Sequence, residues 1–268
     1  MMPADVRFAL RGLAQRPGFA AVALLTLAVG IGANASVFSV AQAVLLRPLP
    51  FREPDRLVMV WERNLSRGRT RNVVNPGNYL AWRDRGTVFE GIAAFGSGSR
   101  NLTGQGTPER IDVGGVTTGF FDTLGVGPAW GRGFVEADGR PGAPAVAILS
   151  HGIWQRRFAS DPGVLGRTIV LSDVPTAIVG VMPKDFELPA GSEVYLPLTI
   201  GEGGLQRDSR GRSLMAIARL RDGVSAGEAQ AAMDALARQL VAERPDFNTG
   251  WDVFVAPLHA DLVRDVRP

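Results

Sequence analysis

Apolar and polar positions divide this chain at Arg47. From Pro17 to Leu46 the sequence runs 30 residues without Asp, Glu, Lys or Arg. As a helix that stretch is roughly 45 Å long, more than the ~20 residues that cross about 30 Å of hydrocarbon. It lacks the polar face that a helix on a globular core presents. The pattern predicts a membrane helix over 17–46. Arg7, Arg11 and Arg16 precede it against one acid, Asp5, so the N-terminus is expected on the cytoplasmic side and the body outside. Within the span Ala28, Gly32, Ser36, Ser39 and Ala43 recur at spacings of three and four. Such a row lets another helix approach closely and gives Asn34 and the serines partners to bond. The competing reading is a cleaved export signal, because "ANA" (33–35) and "AQA" (41–43) fit the small-x-small cleavage pattern. The usual apolar core of such a signal is only about 7–15 residues, so the glycines and Asn34 favour a retained anchor. Residues 1–16 place Val6, Leu10 and Leu13 beside Arg7 and Arg11. That suits an amphipathic arm on the membrane surface or, equally, the basic start of a signal.

Beyond Arg47 the periods shorten. "RLVMVWE" (56–62) reads as a strand from its branched and aromatic content. "NPGNYLAWRDRGTVFEGIAAF" (75–95) predicts a helix with Asn75 as N-cap and Pro76 at the first position. Its packing surface would be Tyr79, Leu80, Trp82 and Phe89. "NLTGQGTPERIDVGGVT" follows as a hairpin or a strand returning to the same sheet. The arrangement recurs late: strand "SLMAIARL" (213–220), then a helix capped by Ser225 with Glu228 and closed by Pro245, then strand "WDVFVAPL" (251–258). Ala229, Met233, Leu236 and Leu240 mark the apolar face of that helix. Between the two units, "PAVAILS" leads through Ser150 into the helix "HGIWQRRFA". "GRTIVLSDVPTAIVGVMP" is two strands about a turn at Ser172–Pro175, and "EVYLPL" is a further strand.

The fold class expected is therefore α+β. Two strand–helix–strand units, 51–118 and 212–262, lie side by side in a mixed sheet with helices on one face. A β-rich insertion over 119–200 and a Gly- and Arg-rich linker over 201–211 separate them. The late unit completes the sheet, whereas the insertion, having its own strands, is expected to be replaceable by a short linker.

Composition removes several functional classes. The net charge of +3 is mostly the N-terminal arm; after residue 46 the body carries 26 basic and 25 acidic side chains. No aromatic-interleaved basic stripe is present, so nucleic acid is not an expected partner. The absence of cysteine means the fold rests on its core. No metal or cofactor site is expected. His151 and His259 stand 108 positions apart without ligand spacing. "FGSGS" (95–99) reads as a glycine turn rather than a nucleophile elbow, and "GVGPAWG" (125–131) as a turn rather than a dinucleotide loop. Asp84, Glu90, Asp122 and Asp161 are scattered and read as helix-surface or turn residues. No catalytic set emerges.

The stretch "DVRFALRGLAQRPGFAAVALLTLAVGIGANASVFSVAQAVLLRPLPF" resembles the N-terminal signature of MacB/FtsX-type ABC transporter permeases. It is most similar to the acidobacterial-type duplicated permeases, called orphan because no ATPase gene adjoins them. The likeness continues through "NPGNYLAWRDRGTVFEGIAAF", "FFDTLGVGPAWGRGF", "AILSHGIWQRRFASDPGVLGRTIVL" and "IVGVMPKDFELP". The resemblance implies a membrane helix followed by a periplasmic core, with 51–118 and 212–262 as two porter-like parts and 119–200 as a sabre-like insertion. It also implies mechanotransmission: ATP hydrolysis in the cytoplasm coupled to motion in the periplasm.

Family members continue into further membrane helices, and residues 263–268 are where the approach to the next is expected, so the chain reads as the N-terminal portion of a permease subunit. The implied partners are the remaining membrane helices, a second permease half and a separate cytoplasmic ATP-binding subunit. The alternative is an exported periplasmic binding or interaction module freed by signal cleavage.

Overall fold

The computed structural model describes residues 18, 21–22, 25–32, 49–104, 106–201, 205 and 211–264. The chain forms two compact units, Met1–Pro48 and Leu49–Pro268. In the first, 25–32 is helical, and Leu25, Leu27, Val29 and Ile31 are each at least 60% exposed. Ala28 and Gly32 lie on this helix and are exposed. Asn34, Ser36, Ser39, Ala43, Arg7, Arg11 and Arg16 lie outside the described residues. Among the described residues, no helix is long and apolar enough to cross a membrane.

The second unit is built on one sheet of eleven strands: β1 (Leu57–Asn64), β2 (Arg69–Asn72), β3 (Phe89–Thr103), β4 (Glu109–Val116), β5 (Trp130–Gly131), β6 (Val146–Leu149), β7 (Thr168–Leu171), β8 (Val174–Val181), β9 (Val194–Pro197), β10 (Met215–Leu220) and β11 (Asp252–Pro257). Its helices are α1 (Pro76–Arg85), α2 (Phe120–Leu124), α3 (His151–Phe158), α4 (Ala226–Glu243), α5 (Pro245–Asn248) and α6 (Leu258–Leu262). The strand order is β11-β1-β10-β3-β4-β9-β6-β8-β5, with β2 on β1 and β7 joining β3 to β8.

Local chemistry explains most of the starts and stops. The Asn75 carboxamide accepts from the Gly77 and Asn78 amides ahead of Pro76. The Ser150 hydroxyl caps α3 through the Ile153 amide. Ser225 and Glu228 satisfy each other's backbone in a capping box. Between β7 and β8, Ser172 and Asp173 both take positive φ, 47° and 68°. A two-residue hairpin turn requires that backbone to match the twist of its strands.

Three expectations need correction. The helix beginning at Pro76 ends at Arg85, not near Phe95, and Phe89 belongs to β3. The Gly86 amide closes the last turn on the Trp82 carbonyl at 2.7 Å, after which branched and aromatic residues pair across the sheet. "FGSGS" is no turn: Phe95–Ser99 continues β3 opposite Val116–Asp112 of β4. The two strand–helix–strand units do not sit side by side. β10 lies between β1 and β3 and β11 outside β1, all antiparallel. Among the named strands, parallel pairing joins β4 to β9 and β6 to β8.

Alternation along these four strands produces two apolar faces. Val58, Val60, Ala94, Ala216, Ala218, Leu220, Val253 and Val255 meet Tyr79, Leu80 and Trp82 of α1 and Ala229, Met233, Leu236 and Leu240 of α4. On the reverse, Leu57, Met59, Ala93, Phe95 and Ile217 are covered by Phe120, Phe121, Phe134, Phe186 and Tyr195, all from 119–200. A third cluster joins Leu102, Ile111 and Val113 to Ile153, Trp154, Ile169 and Ile178. Residues 119–200 thus build a second core together with β3 and β4 and also roof the reverse face of the central strands.

That roof alters the expectation for the insertion. Each fully buried apolar side chain contributes about 1.5–3 kcal/mol, so losing the five aromatics forfeits about as much as a whole domain's typical stability of about 5–15 kcal/mol. Replacing 119–200 by a Gly/Ser linker is therefore expected to abolish the cooperative thermal melt. Ending the chain at residue 211, which removes β10 from between β1 and β3, is expected to do the same. A native-like melt from either form, followed by circular dichroism, would contradict this packing.

Candidate functional site

The residues that carry chemistry elsewhere are engaged locally here. His151 packs edge-on against Trp154, ring centroids 5.4 Å apart, and His259 lies within α6. Asp84 pairs with Arg83 at 2.8 Å. Asp161 accepts from the Gly163 amide at 2.8 Å and pairs with Arg167. Glu90 binds Arg52 and Arg56, and Asp122 sits in the short helix α2. "GVGPAWG" runs from the left-handed cap Gly125 of α2 into β5. Among the described residues, no group of three or more His, Cys, Asp or Glu stands close enough to hold a metal ion.

What the structure assembles instead is two polar clasps, about 20 Å apart along β1 at roughly 3.3 Å per residue. The first is where the second unit's chain enters β1 and leaves β11. α6 packs against residues 54–56 and β1. The Arg56 guanidinium donates to the Leu220 carbonyl at 2.8 and 3.0 Å and pairs with Glu53 and Glu90. Beside it Arg219 is 1% exposed. Its Nε donates to the Thr123 carbonyl at 2.9 Å, Nη2 to Leu124 at 3.1 Å and Nη1 to Glu53 at 3.3 Å. Burial pulls the Arg219 pKa below its ordinary value, and the carbonyls at the α2 C-terminus and the Glu53 carboxylate, 3.8 Å away, offset that cost. Arg219 fastens β10 to α2 and to the chain entering β1. Gly125 is required there: its φ is +69°, and a Cβ would stand 2.5 Å from that of Arg52.

A polar cleft of about 530 Å³ opens beside this clasp. Its lining includes Arg83, Arg85, Arg221, Asp84, Glu90 and Asp122. Arg85 is committed to Glu243 through two hydrogen bonds, 2.7 and 3.0 Å, and Arg221 to the Thr87 carbonyl at 2.7 Å. Asp122 and Thr123 are the α2 residues of this lining.

The second clasp centres on Glu62, also 1% exposed. Its Oε1 accepts from the Asn75 amide at 3.1 Å and Asn78 Nδ2 at 2.8 Å, and Oε2 from Arg212 Nε. Asn78 passes a second hydrogen bond to Asn248 Oδ1 at 2.7 Å, and Asn248 donates to the Leu240 carbonyl at 3.0 Å. Arg212 reaches the Phe247 carbonyl at 2.8 Å and lies over Trp251, 3.6 Å from the ring centroid. One carboxylate thus ties β1 and α1 to α4, α5 and the chain before β10. Burial pushes the Glu62 carboxyl above its ordinary value, opposed by Arg212, Asn78 and the Asn75 amide.

Neither clasp is visible in motifs, yet both leave a trace in the alternation. Glu62 and Asn64 fall in phase with buried Val58 and Val60 along β1, and Arg219 in phase with Ile217 along β10. A polar residue in phase with an apolar face is the available signal. It shows burial, and it does not show the partner.

Removing one member of a buried ion pair typically costs about 3–5 kcal/mol, so Glu62→Ala should lose stability on that scale, measured by urea unfolding, and Glu62→Gln less. Because the folded-state pKa of Glu62 is raised above 4.5, its stabilising contribution is full below the unfolded value and fades as pH rises through the folded one. The unfolding free energy of Glu62→Gln should fall less steeply with pH above 4.5 than that of the parent. Parallel slopes would contradict the burial argument.

Comparison with known proteins places this geometry. Residues 20–236 match the family described as the MacB-like periplasmic core domain. The macrolide export ATP-binding/permease protein MacB of Rhodospirillum rubrum is 28% identical over 137 residues, 49% of this chain and 20% of that protein. The chain thus spans about a fifth of that curated relative. The periplasmic region of MacB from Actinobacillus actinomycetemcomitans superposes with a TM-score of 0.54 at 17% identity, over 79% of this chain and 92% of that one. A domain of a putative permease protein from Porphyromonas gingivalis gives 0.60 at 19% identity, over 78% and 93%. These two likenesses establish the mixed α/β fold, and the match over 20–236 establishes membership: the chain belongs to the MacB-like periplasmic core domain family.

Proposed function

We propose that this chain is the anchored, extracytoplasmic part of an ABC-type permease subunit, working through protein contacts and mechanotransmission and without catalysis of its own. In this reading residues 1–16 are a cytoplasmic arm and 17–46 a membrane helix. Residues 51–118 and 212–262 are the porter-like parts, 119–200 the sabre-like insertion and 201–211 the linker. The partners are further membrane helices of the permease, a second permease half and a cytoplasmic ATP-binding subunit. Ala28, Gly32, Asn34, Ser36, Ser39 and Ala43 would face neighbouring helices, and Arg7, Arg11 and Arg16 would hold the N-terminus inside.

The observation that carries the proposal is the first clasp. The segments entering β1 and leaving β11 meet at one end of a continuous sheet, and Arg56 and Arg219 tie the entry to β10 and α2. A displacement delivered there moves the sheet as a body, because close-packed interiors transmit strain rather than absorb it. The exposed apolar side chains at Val22, Leu25, Leu27, Val29 and Ile31 support the anchor. A contiguous surface of that kind in a soluble chain marks a contact with membrane or protein.

The test is insertion. An arginine near mid-span costs about 2.5–3.5 kcal/mol on insertion scales, so Gly32→Arg and Ala35→Arg should lose carbonate-resistant membrane association. The parent should stay bound with its initiating methionine region intact, and its body should be open to protease from outside spheroplasts. Unchanged association of both variants would overturn the spanning helix. A soluble chain starting after Ala35 or Ala43 would establish the cleaved-signal reading instead.

A further inference from the structure

β11 is the free edge of the sheet: it pairs with β1 and, among the described residues, with no other strand. Its sequence, "DVFVAP", is uncharged after Asp252 and rich in branched and aromatic residues. An edge of this composition invites pairing with another strand, and a second copy of the same edge is always at hand at the protein's own concentration. Two such edges related by a two-fold axis would pair antiparallel and make a continuous sheet.

One side chain stands in the way. Gln230 of α4 aims its carboxamide at the edge backbone. Its Oε1 accepts from the Val255 amide at 2.8 Å, and its Nε2 donates to the Val253 carbonyl at 3.0 Å. Nε2 also donates to Asp234 Oδ1 at 2.7 Å, which fixes the orientation of the carboxamide. In an antiparallel strand the N–H and C=O of one residue point to the same side, and successive residues alternate. The bonds to Gln230 therefore place Val253 and Val255 outward, and Asp252, Phe254 and Ala256 toward β1. The next outward residue is Pro257, which has no N–H to give. A side-chain carboxamide presents an N–H and a C=O at nearly the spacing of a backbone peptide, and its second N–H is free for Asp234. Gln230 thus occupies the edge as a one-residue strand would.

We infer that Gln230 seals β11 against strand addition by a second copy of this chain. The seal sits on α4, whose Ala229, Met233, Leu236 and Leu240 are packed into the core, so it is held rigidly over the edge. It leaves the ladder to β1 untouched. The partner it excludes is defined by chemistry: an extended, apolar strand with free backbone groups, of which the identical β11 is the nearest source.

The experiment compares the full chain, purified in detergent, with Gln230→Ala and Gln230→Glu. Two quantities are read: exchange of the Val255 amide against that of Phe254, and concentration-dependent association by sedimentation velocity. Alanine favours helix, and circular dichroism checks that α4 persists. In Gln230→Ala, Val255 exchange should rise about tenfold, the factor for losing one hydrogen bond, while Phe254 stays protected by β1. Association should increase beyond that of the parent. Gln230→Glu keeps the acceptor for Val255 but loses the donor to Val253 and sets a carboxylate against a carbonyl, so its association should also exceed the parent's. Should the alanine variant lose its helix content, the glutamate variant alone decides. Unchanged Val255 exchange in the deciding alanine variant, or no gain in association by the deciding variant, overturns the inference. In the latter case Gln230 merely braces α4 on β11.

Discussion

The structure hangs on the insertion of β10 between β1 and β3. The strands of 51–118 are separated by a strand made more than 100 residues later, so neither strand–helix–strand unit has a complete sheet alone. Every long-range feature follows from that interleaving. The apolar side chains of α1 and α4 land on one face because the strands beneath them alternate early, late, early. The chain between the units therefore leaves from β4 and returns to β10, and it uses the interval to build a second region and a roof for the reverse face. β3 is the beam that makes both possible. Its first half pairs with β10 and its second with β4, and its last residues reach β7.

Interleaving alone aligns strands without fixing the helices or the entering chain. The clasps around Glu62 and Arg219 add that constraint at opposite ends of the central strands, each by burying one charged group whose hydrogen bonds join both halves of the sequence. Buried charge is costly, and these two are tolerated because donors and acceptors are matched atom by atom. Such matching rewards one arrangement of the halves over near alternatives. In the cleft beside Arg219, Asp84 and Glu90 are engaged with arginines.

Much of this was legible from local chemistry. The caps at Asn75, Ser150 and Ser225, the Ser172–Asp173 turn and the strands 57–64, 215–220 and 252–257 follow from side chains acting on their own backbone or from alternation over a few residues. The family likeness was legible too, because blocks in a fixed order survive where overall identity is low. The failures have a common cause. The helix drawn through Phe89 ignored that Thr87, Val88, Phe89 and Ile92 are as content in a strand, and only β10 and β4 decide between the two. The glycines and serines of 95–99 read as a turn because nothing nearby marks them as extended; the partner holding them straight is β4.

Short-range forces act over a turn of helix or a pair of residues, so the sequence alone determined the caps, the tight turn, the α+β class and the apolar faces of single elements. Strand order, the double role of β3, the roof supplied by Phe120, Phe121, Phe134, Phe186 and Tyr195, and the partners of Glu62, Arg219 and Gln230 were decided only by tertiary structure. Each joins groups separated by tens to more than a hundred residues, and their free energy exists only once the chain has closed those loops and excluded water from the contact.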